Sequence, residues 1–200
     1  MSLSIERRIL YRIRAKGRGW VFSARHFADF GSRSGIDLAL HRLSKQGKIR
    51  RLGQGLYDYP RIHEKIGVLS PSIEAVAREI ADKNNSKLKI VGSQAANALG
   101  ITTQVPAKIV FLTDGPTRQI KIGNQTIQLK HASPKVMTTA DNGSGVVIEA
   151  LKYVGRENID ERTIRKIKGF LSEFDKKELQ KNLNAVPEWM KPRLLELITD

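Results

Sequence analysis

Four apolar residues at helical spacing, Ile36, Ala39, Leu40 and Leu43, lie between two chain-turning glycines, Gly31 and Gly47. No other feature constrains the fold as much. At about 100° per residue they form one stripe, so a helix over 34–46 buries that side and presents the other. Ser34 followed three residues later by Asp37 matches a capping-box pattern at its start, and Gly47 supplies the stop. The presented side carries Ser34, Leu38, His41, Arg42 and Lys45, with Arg33 at its entry. A helix of about 12 residues at ~1.5 Å each fits a DNA major groove ~12 Å wide.

The flanking residues read as further elements in a recognisable order. Ser4 caps a helix from Ile5 to about Lys16, with Ile5, Ile9, Leu10 and Ile13 on one face, and Gly17 and Gly19 end it. Trp20 to Phe22 is a β-prone run, and Ser23 caps a brief helix containing Phe27 and Phe30 before the turn at Gly31. Two strands follow, Ile49 to Leu52 and Leu56 to Tyr59, joined by Gly53-Gln54-Gly55. Helix, strand, helix, turn, helix and hairpin is the order of a winged helix-turn-helix, so residues 1–62 are expected to form one that binds double-stranded DNA. The six aromatic residues Trp20, Phe22, Phe27, Phe30, Tyr57 and Tyr59 are expected in its core.

Charge points the same way. The chain has 35 Lys and Arg against 20 Asp and Glu, a net charge of +15. Residues 1–65 hold 15 of those cations and 5 of the carboxylates, so most of the excess sits in a third of the chain. Such an imbalance suits a polyanionic partner, nucleic acid before an anionic membrane. There is no cysteine, hence no disulfide framework and no thiolate zinc site. No run of about 18 apolar residues and no signal-like opening is present, so a cytoplasmic protein without a membrane span is expected.

Each residue on the presented face has an alternative role. Arg33, Arg42 and Lys45 suit guanine edges or phosphate, or else a solvated helix face. Asp37 reads as a capping residue rather than a cytosine reader. Leu38 either touches a thymine methyl or packs under the hairpin, and packing is the favoured expectation. His41 contacts phosphate or base, or is plain surface. Arg50, Arg51 and Gln54 sit at the hairpin, suited to phosphate or minor groove, or to keeping an edge hairpin soluble. His26, His41, His63 and His131 lack ligand spacing, so neither metal nor cofactor is expected.

Residues 60–67 read as a connector, and residues 68–200 as an α+β effector domain. Helices are expected from Pro71 to about Asn84 and from Ser93, and strands over 88–91, 108–113, 119–122 and 126–131. A helical tail over 146–154, 163–171, 176–183 and 187–198 follows, with Asp175 and Glu178 as a second capping-box pattern. The fold class is therefore α+β: a winged helix-turn-helix plus a domain with a small antiparallel sheet and a helical tail. Asp114 with Gln128 and Lys130 loosely matches the acid-and-lysine arrangement of restriction-type nucleases. Gln128, however, stands where a second metal-binding carboxylate is wanted, and Asp114 is equally a turn residue. A nucleic-acid-processing enzyme is the alternative, an architectural or RNA-binding protein a third possibility, and no catalytic residue is assigned.

The run Gly92-Ser-Gln-Ala-Ala-Asn-Ala-Leu-Gly-Ile-Thr-Thr-Gln-Val-Pro106 resembles the hallmark region of AbiEi-type antitoxins, as does Thr113-Asp-Gly-Pro-Thr-Arg118 with the turn at Gly123. The hairpin ending Gly53-Gln-Gly-Leu-Tyr57 is similar to their N-terminal domain. The resemblance covers roughly residues 5–135. It implies an autoregulating antitoxin of a bacterial type IV toxin–antitoxin operon tied to abortive phage infection, with promoter repeats as its DNA. It also implies a nucleotidyltransferase-like toxin as functional partner, countered by the second domain. Oligomeric state is left open.

Overall fold

A computed structural model describes residues 3–104, 108–138 and 142–199. Val105 and Pro106 of the quoted run lie outside them. The chain is α+β and divides into two compact units, Met1–Asn85 and Ser86–Asp200.

In the first unit, α1 (Ile5–Lys16) starts at Ser4, whose Oγ accepts the Arg7 N–H at 3.3 Å, and ends at Gly17. β1 (Val21–Phe22) leads into a 3-10 turn, Ala24–Phe30. After Gly31 comes α2 (Arg33–Lys45), then β2 (Arg50–Gly53) and β3 (Leu56–Asp58), which with β1 form an antiparallel sheet ordered β1-β3-β2. The expected stripe is the inner face of α2: Ile36, Leu40 and Leu43 are at most 1 % exposed. They pack with Ile9, Ile13, Phe22 and Phe27 in one core. Truncating Leu40 to Ala costs about 2–5 kcal/mol, the range for a fully buried leucine.

Two capping expectations shift. Ser32, not Ser34, caps α2: its Oγ accepts the Gly35 N–H at 3.3 Å. The helix thus begins before Ser34, and Asp37 is left to pair with Arg33 one turn back, Nε to Oδ2 2.8 Å. Ser23 makes no capping bond: its side chain is buried and its Oγ has no hydrogen-bond partner among the described residues.

The connector is a second hairpin, β4 (Ile62–His63) against β5 (Gly67–Val68). The expected division after it is also corrected. α3 (Ile73–Lys83) belongs to the first unit, packed on β1. Val76 and Ala77 are fully buried, and the buried carboxylate of Glu79 lies 2.8 Å from His26 Nε2 and 4.0 Å from Arg25 Nε. Arg25 also reaches Asp82, and Lys83 Nζ donates to the Gln54 carbonyl at 3.3 Å.

The second unit holds β6 (Leu88–Ile90), α4 (Ser93–Ala98), β7 (Lys108–Thr113), β8 (Arg118–Ile122) and β9 (Gln125–His131). Its sheet runs β6-β7-β9-β8. The outer pairings are antiparallel as expected, but the central β7–β9 pairing is parallel, so the sheet is mixed. A hairpin β8–β9 inserted at the edge brings β9 back alongside β7 in the same direction. α5 (Pro134–Met137), α6 (Gly143–Val154), α7 (Glu161–Phe170), α8 (Glu173–Asn182) and α9 (Lys191–Ile198) complete the unit. Asp175 serves as the N3 acid of a capping box whose cap is Ser172, rather than as the cap itself. Its Oδ1 also accepts the Gly143 N–H at 2.9 Å, tying α8 to the start of α6. A Cβ at Gly143 would sit 2.7 Å from that oxygen.

Candidate nucleic-acid interface

With one side of α2 locked in the core, its other side is fixed in orientation. Ser34, Leu38, His41, Arg42 and Lys45 recur at three- and four-residue spacing, and all five are exposed. Leu38 is 50 % exposed, which corrects the expectation that it packs under the hairpin. A half-exposed leucine in a polar row contributes little to the core and offers a methyl-sized apolar contact outward. Arg42, Lys45 and the adjacent Lys48 make no ion pair with any described residue. Arg33 is different, since its guanidinium is held by Asp37. Arg42 and Lys45 also lie in the last turn, where cations complement the helix dipole, so part of their role is structural.

The basic residues of the first unit sort into two sets. Arg8 and Arg12 stack on Phe30, 4.3 and 4.0 Å from the ring centre, and Arg12 grips Asp29 through two hydrogen bonds of 2.8 and 2.7 Å. Those bonds hold the Asp29 carboxyl below its ordinary range and raise the Arg12 pKa. Arg18 covers Tyr59 and donates to the Pro60 carbonyl at 2.9 Å. These cations are committed to the fold.

At the hairpin the three expected residues separate. Arg50 is turned inward onto Asp58, which is 1 % exposed, and stands at the start of β2 rather than at the tip expected for it. Arg51, its strand neighbour, alternates outward and is exposed, its Nε donating to the Gly53 carbonyl at 3.3 Å. Gln54 is exposed at the turn, where Lys83 lies against its carbonyl.

Sequence reasoning missed one feature. Arg14, Arg18 and Lys48 line a groove of about 240 Å³ floored by Leu10, Tyr59 and Val68. It runs beside the C-terminal end of α2, and Arg61 and Lys65 are exposed on the flanking second hairpin. The turn chemistry of residues 60–67 hid it, because the same glycine and proline signals mark a linker and a hairpin.

The residues of the nuclease alternative do not form a carboxylate cluster. Asp114 Oδ1 accepts the Lys87 N–H at 2.7 Å and so braces a turn. Gln128 and Lys130 lie in β9. Among the described residues no three His, Cys, Asp or Glu side chains converge as metal ligands. Nor is any helix there long and apolar enough to cross a membrane.

A family model described as "Family of unknown function (DUF6088)" matches residues 8–179. The chain belongs to that family. The match spans both units and includes the whole of α2 and both hairpins. Among solved structures, the crystal structure of the RV2827C protein from Mycobacterium tuberculosis aligns with 97 % of this chain and 76 % of its own. Sequence identity is 13 % and the TM-score 0.44. No curated protein matches the sequence of this family member.

Proposed function

We propose that the first unit is a winged helix-turn-helix and that the protein is a sequence-specific regulator binding double-stranded DNA. The observation that carries this is the outward face of α2. Its row of Leu38, Arg42 and Lys45 is exposed, and neither cation has an ion partner among the described residues, on a helix whose other side is immobilised in a core. Rigid presentation of a few base-reading groups beside phosphate-neutralising lysines is what major-groove recognition requires. In this reading the 3-10 turn and α2 form the helix-turn-helix, β2–β3 is the wing with Arg51 and Gln54 as its outward groups, and Lys48 and Arg14 neutralise flanking phosphates.

The resemblance in residues 92–106 and 113–118 extends the proposal to an autoregulating antitoxin. Its DNA is then promoter repeats upstream of its own operon, and its counterpart a nucleotidyltransferase-like toxin met by the second unit. The test is footprinting and anisotropy titration of the full chain on that upstream DNA against scrambled duplex. Protection of repeated sites with at least ~10³-fold preference is expected, the lower range for specific binders. With about 5 phosphate contacts, log K should fall against log salt with a slope near −4 to −5. Equal affinity for both DNAs would overturn specific regulation and leave charge attraction alone.

A further inference from the structure

The sheet of the second unit has one buried apolar face and one face rimmed by lysines. Side chains alternate along each strand, and Ile109, Phe111, Ile127 and Leu129 are buried on one side. The opposite side carries Lys108, Val110 and Leu112 on β7, Thr126, Gln128 and Lys130 on β9, and Gln119 and Lys121 on β8, with Val110, Leu112 and Gln128 half-buried at its middle. Lys108, Lys121, Lys130 and Gln119 are exposed, and Thr126 is half-buried. The register aligns Lys108 with Thr126 and Thr126 with Lys121, so the two lysines end one rung, about 10 Å apart across three strands. Lys130 stands four residues along β9, about 13 Å from that rung. None of the three lysines makes an ion pair with a described residue, whereas most lysines of the helical tail do.

The β6 end of the same face is closed by its own charges. Lys89 is 5 % exposed, its Nζ 3.2 Å from Glu149 Oε1 and donating to the Val136 carbonyl at 3.0 Å. Glu149 is shared with Lys152, so its charge is already matched. From Lys108 to His131 the sequence holds one carboxylate, Asp114, which is occupied at its turn. What remains open is a cationic, acid-free strip over β9 and β8.

We propose that this strip is a second polyanion-binding surface, one that takes the phosphate backbone of duplex nucleic acid. Three lysines without aromatic or arginine neighbours on the face fit phosphate. Protein interfaces are depleted in lysine and enriched in aromatics and arginine, whereas nucleic-acid interfaces are strongly positive. Single strands would want stacking rings, and the sheet's one aromatic, Phe111, is on the buried side. The surface contacts backbone without reading bases and operates independently of the α2 face.

The test uses the full chain with Lys108, Lys121 and Lys130 changed together to Gln, and a random 30-bp duplex as probe in an anisotropy titration over a salt series. The salt slope should become shallower by about 2–3, and the low-salt affinity should fall at least ~10-fold. The three-fold Lys→Arg variant should bind as the parent does, since a phosphate accepts either cation. A parallel variant, Arg42→Gln with Lys45→Gln, separates this surface from α2: each variant should lose affinity alone, and the losses should multiply. If only the α2 variant binds this random duplex like the parent, this proposal stands, and the regulator proposal is decided by the titration on upstream DNA. A Gln triple variant with unchanged melting and unchanged slope overturns it. So does loss of poly-glutamate binding with duplex binding intact, which would assign the strip to an acidic protein. Should the triple variant not fold, Lys121→Gln alone, on the edge strand β8, is read against a slope change of about 1.

Discussion

Arg50 and Asp58 face each other across the β2–β3 hairpin and are joined by two hydrogen bonds, Nε to Oδ1 at 2.9 Å and Nη2 to Oδ2 at 2.5 Å. The carboxylate is buried, while the guanidinium side chain keeps 30 % of its surface in water. This bidentate grip fixes the hairpin that carries Arg51 outward. Removing one partner leaves a buried charge unmatched, so Arg50→Ala should cost about 3 kcal/mol, at the low end for broken buried pairs because Arg50 is partly solvated. Urea denaturation checks it. A loss below about 0.5 kcal/mol, the scale of an ordinary surface substitution, would return Arg50 to the pool of free cations.

The division of the chain gives a second prediction. A fragment 1–85 should fold cooperatively, whereas 1–66 should not reach the same stability. The shorter piece lacks α3, which supplies the buried Val76 and Ala77 and the partners of His26 and Arg25. Each fully buried aliphatic side chain contributes about 1.5–3 kcal/mol for a valine-sized group, a large share of a small domain's stability. Thermal melts of both fragments decide the point. Equal melting temperatures would detach α3 from the first core.

Which parts were legible in the sequence follows from whether the signal was local. The α2 stripe is local: apolar spacing alone names Ile36, Ala39, Leu40 and Leu43, and the strands over 108–131 announce themselves by alternation and by turns at Asp114-Gly115 and Gly123-Asn124. Arg50 and Arg51 look alike in sequence, and only the register that sets Arg50 opposite Asp58 tells them apart. The link between His26 and Glu79 joins residues 53 apart, so nothing near α3 says which unit it serves. The parallel β7–β9 pairing is equally non-local, since a hairpin at the edge and a meander share the same turns. Leu38 was ambiguous for another reason. Periodicity places a side chain on a face but does not say whether something covers that face.

Acid should weaken the second unit in a defined way. Asp160 caps α7, and hydrogen bonds from Thr163, side chain first and backbone N–H second, hold its carboxyl below the ordinary value of 3.8. A carboxyl with a lowered folded-state pKa stabilises the fold fully above its unfolded value, and the contribution fades as pH falls through the folded one. Asp160→Asn keeps an acceptor at the cap but removes the titration. Melting temperatures followed from about pH 6 down to about pH 3 should therefore drop less steeply in the variant. Parallel curves would show that the Asp160 charge contributes nothing beyond its hydrogen bonds.

Specific reading and simple charge attraction part company at Arg42 and Arg51. Both are exposed, and both belong to the unit that carries most of the excess charge. Arg42 projects from the outward face of α2, beside Leu38 and Lys45, where a groove-bound helix meets base edges. Arg51 stands exposed on the β2–β3 hairpin. Under the proposed function, Arg42→Ala should cost ~1–3 kcal/mol on the upstream DNA and relax base preference there. Arg51→Ala should weaken upstream and scrambled duplex about equally, because phosphates carry no sequence information. Leu38→Ala adds a control free of charge: stability should change by less than about 0.5 kcal/mol, since the side chain is half exposed, while preference at one thymine position falls. All three variants are titrated on both DNAs at one fixed salt concentration. Equal losses on both for Arg42→Ala would reduce that residue to a phosphate contact. No loss on either DNA, with Leu38→Ala also silent, would place the outward face of α2 away from the groove and leave the hairpins and the Arg14–Lys48 groove as the binding elements.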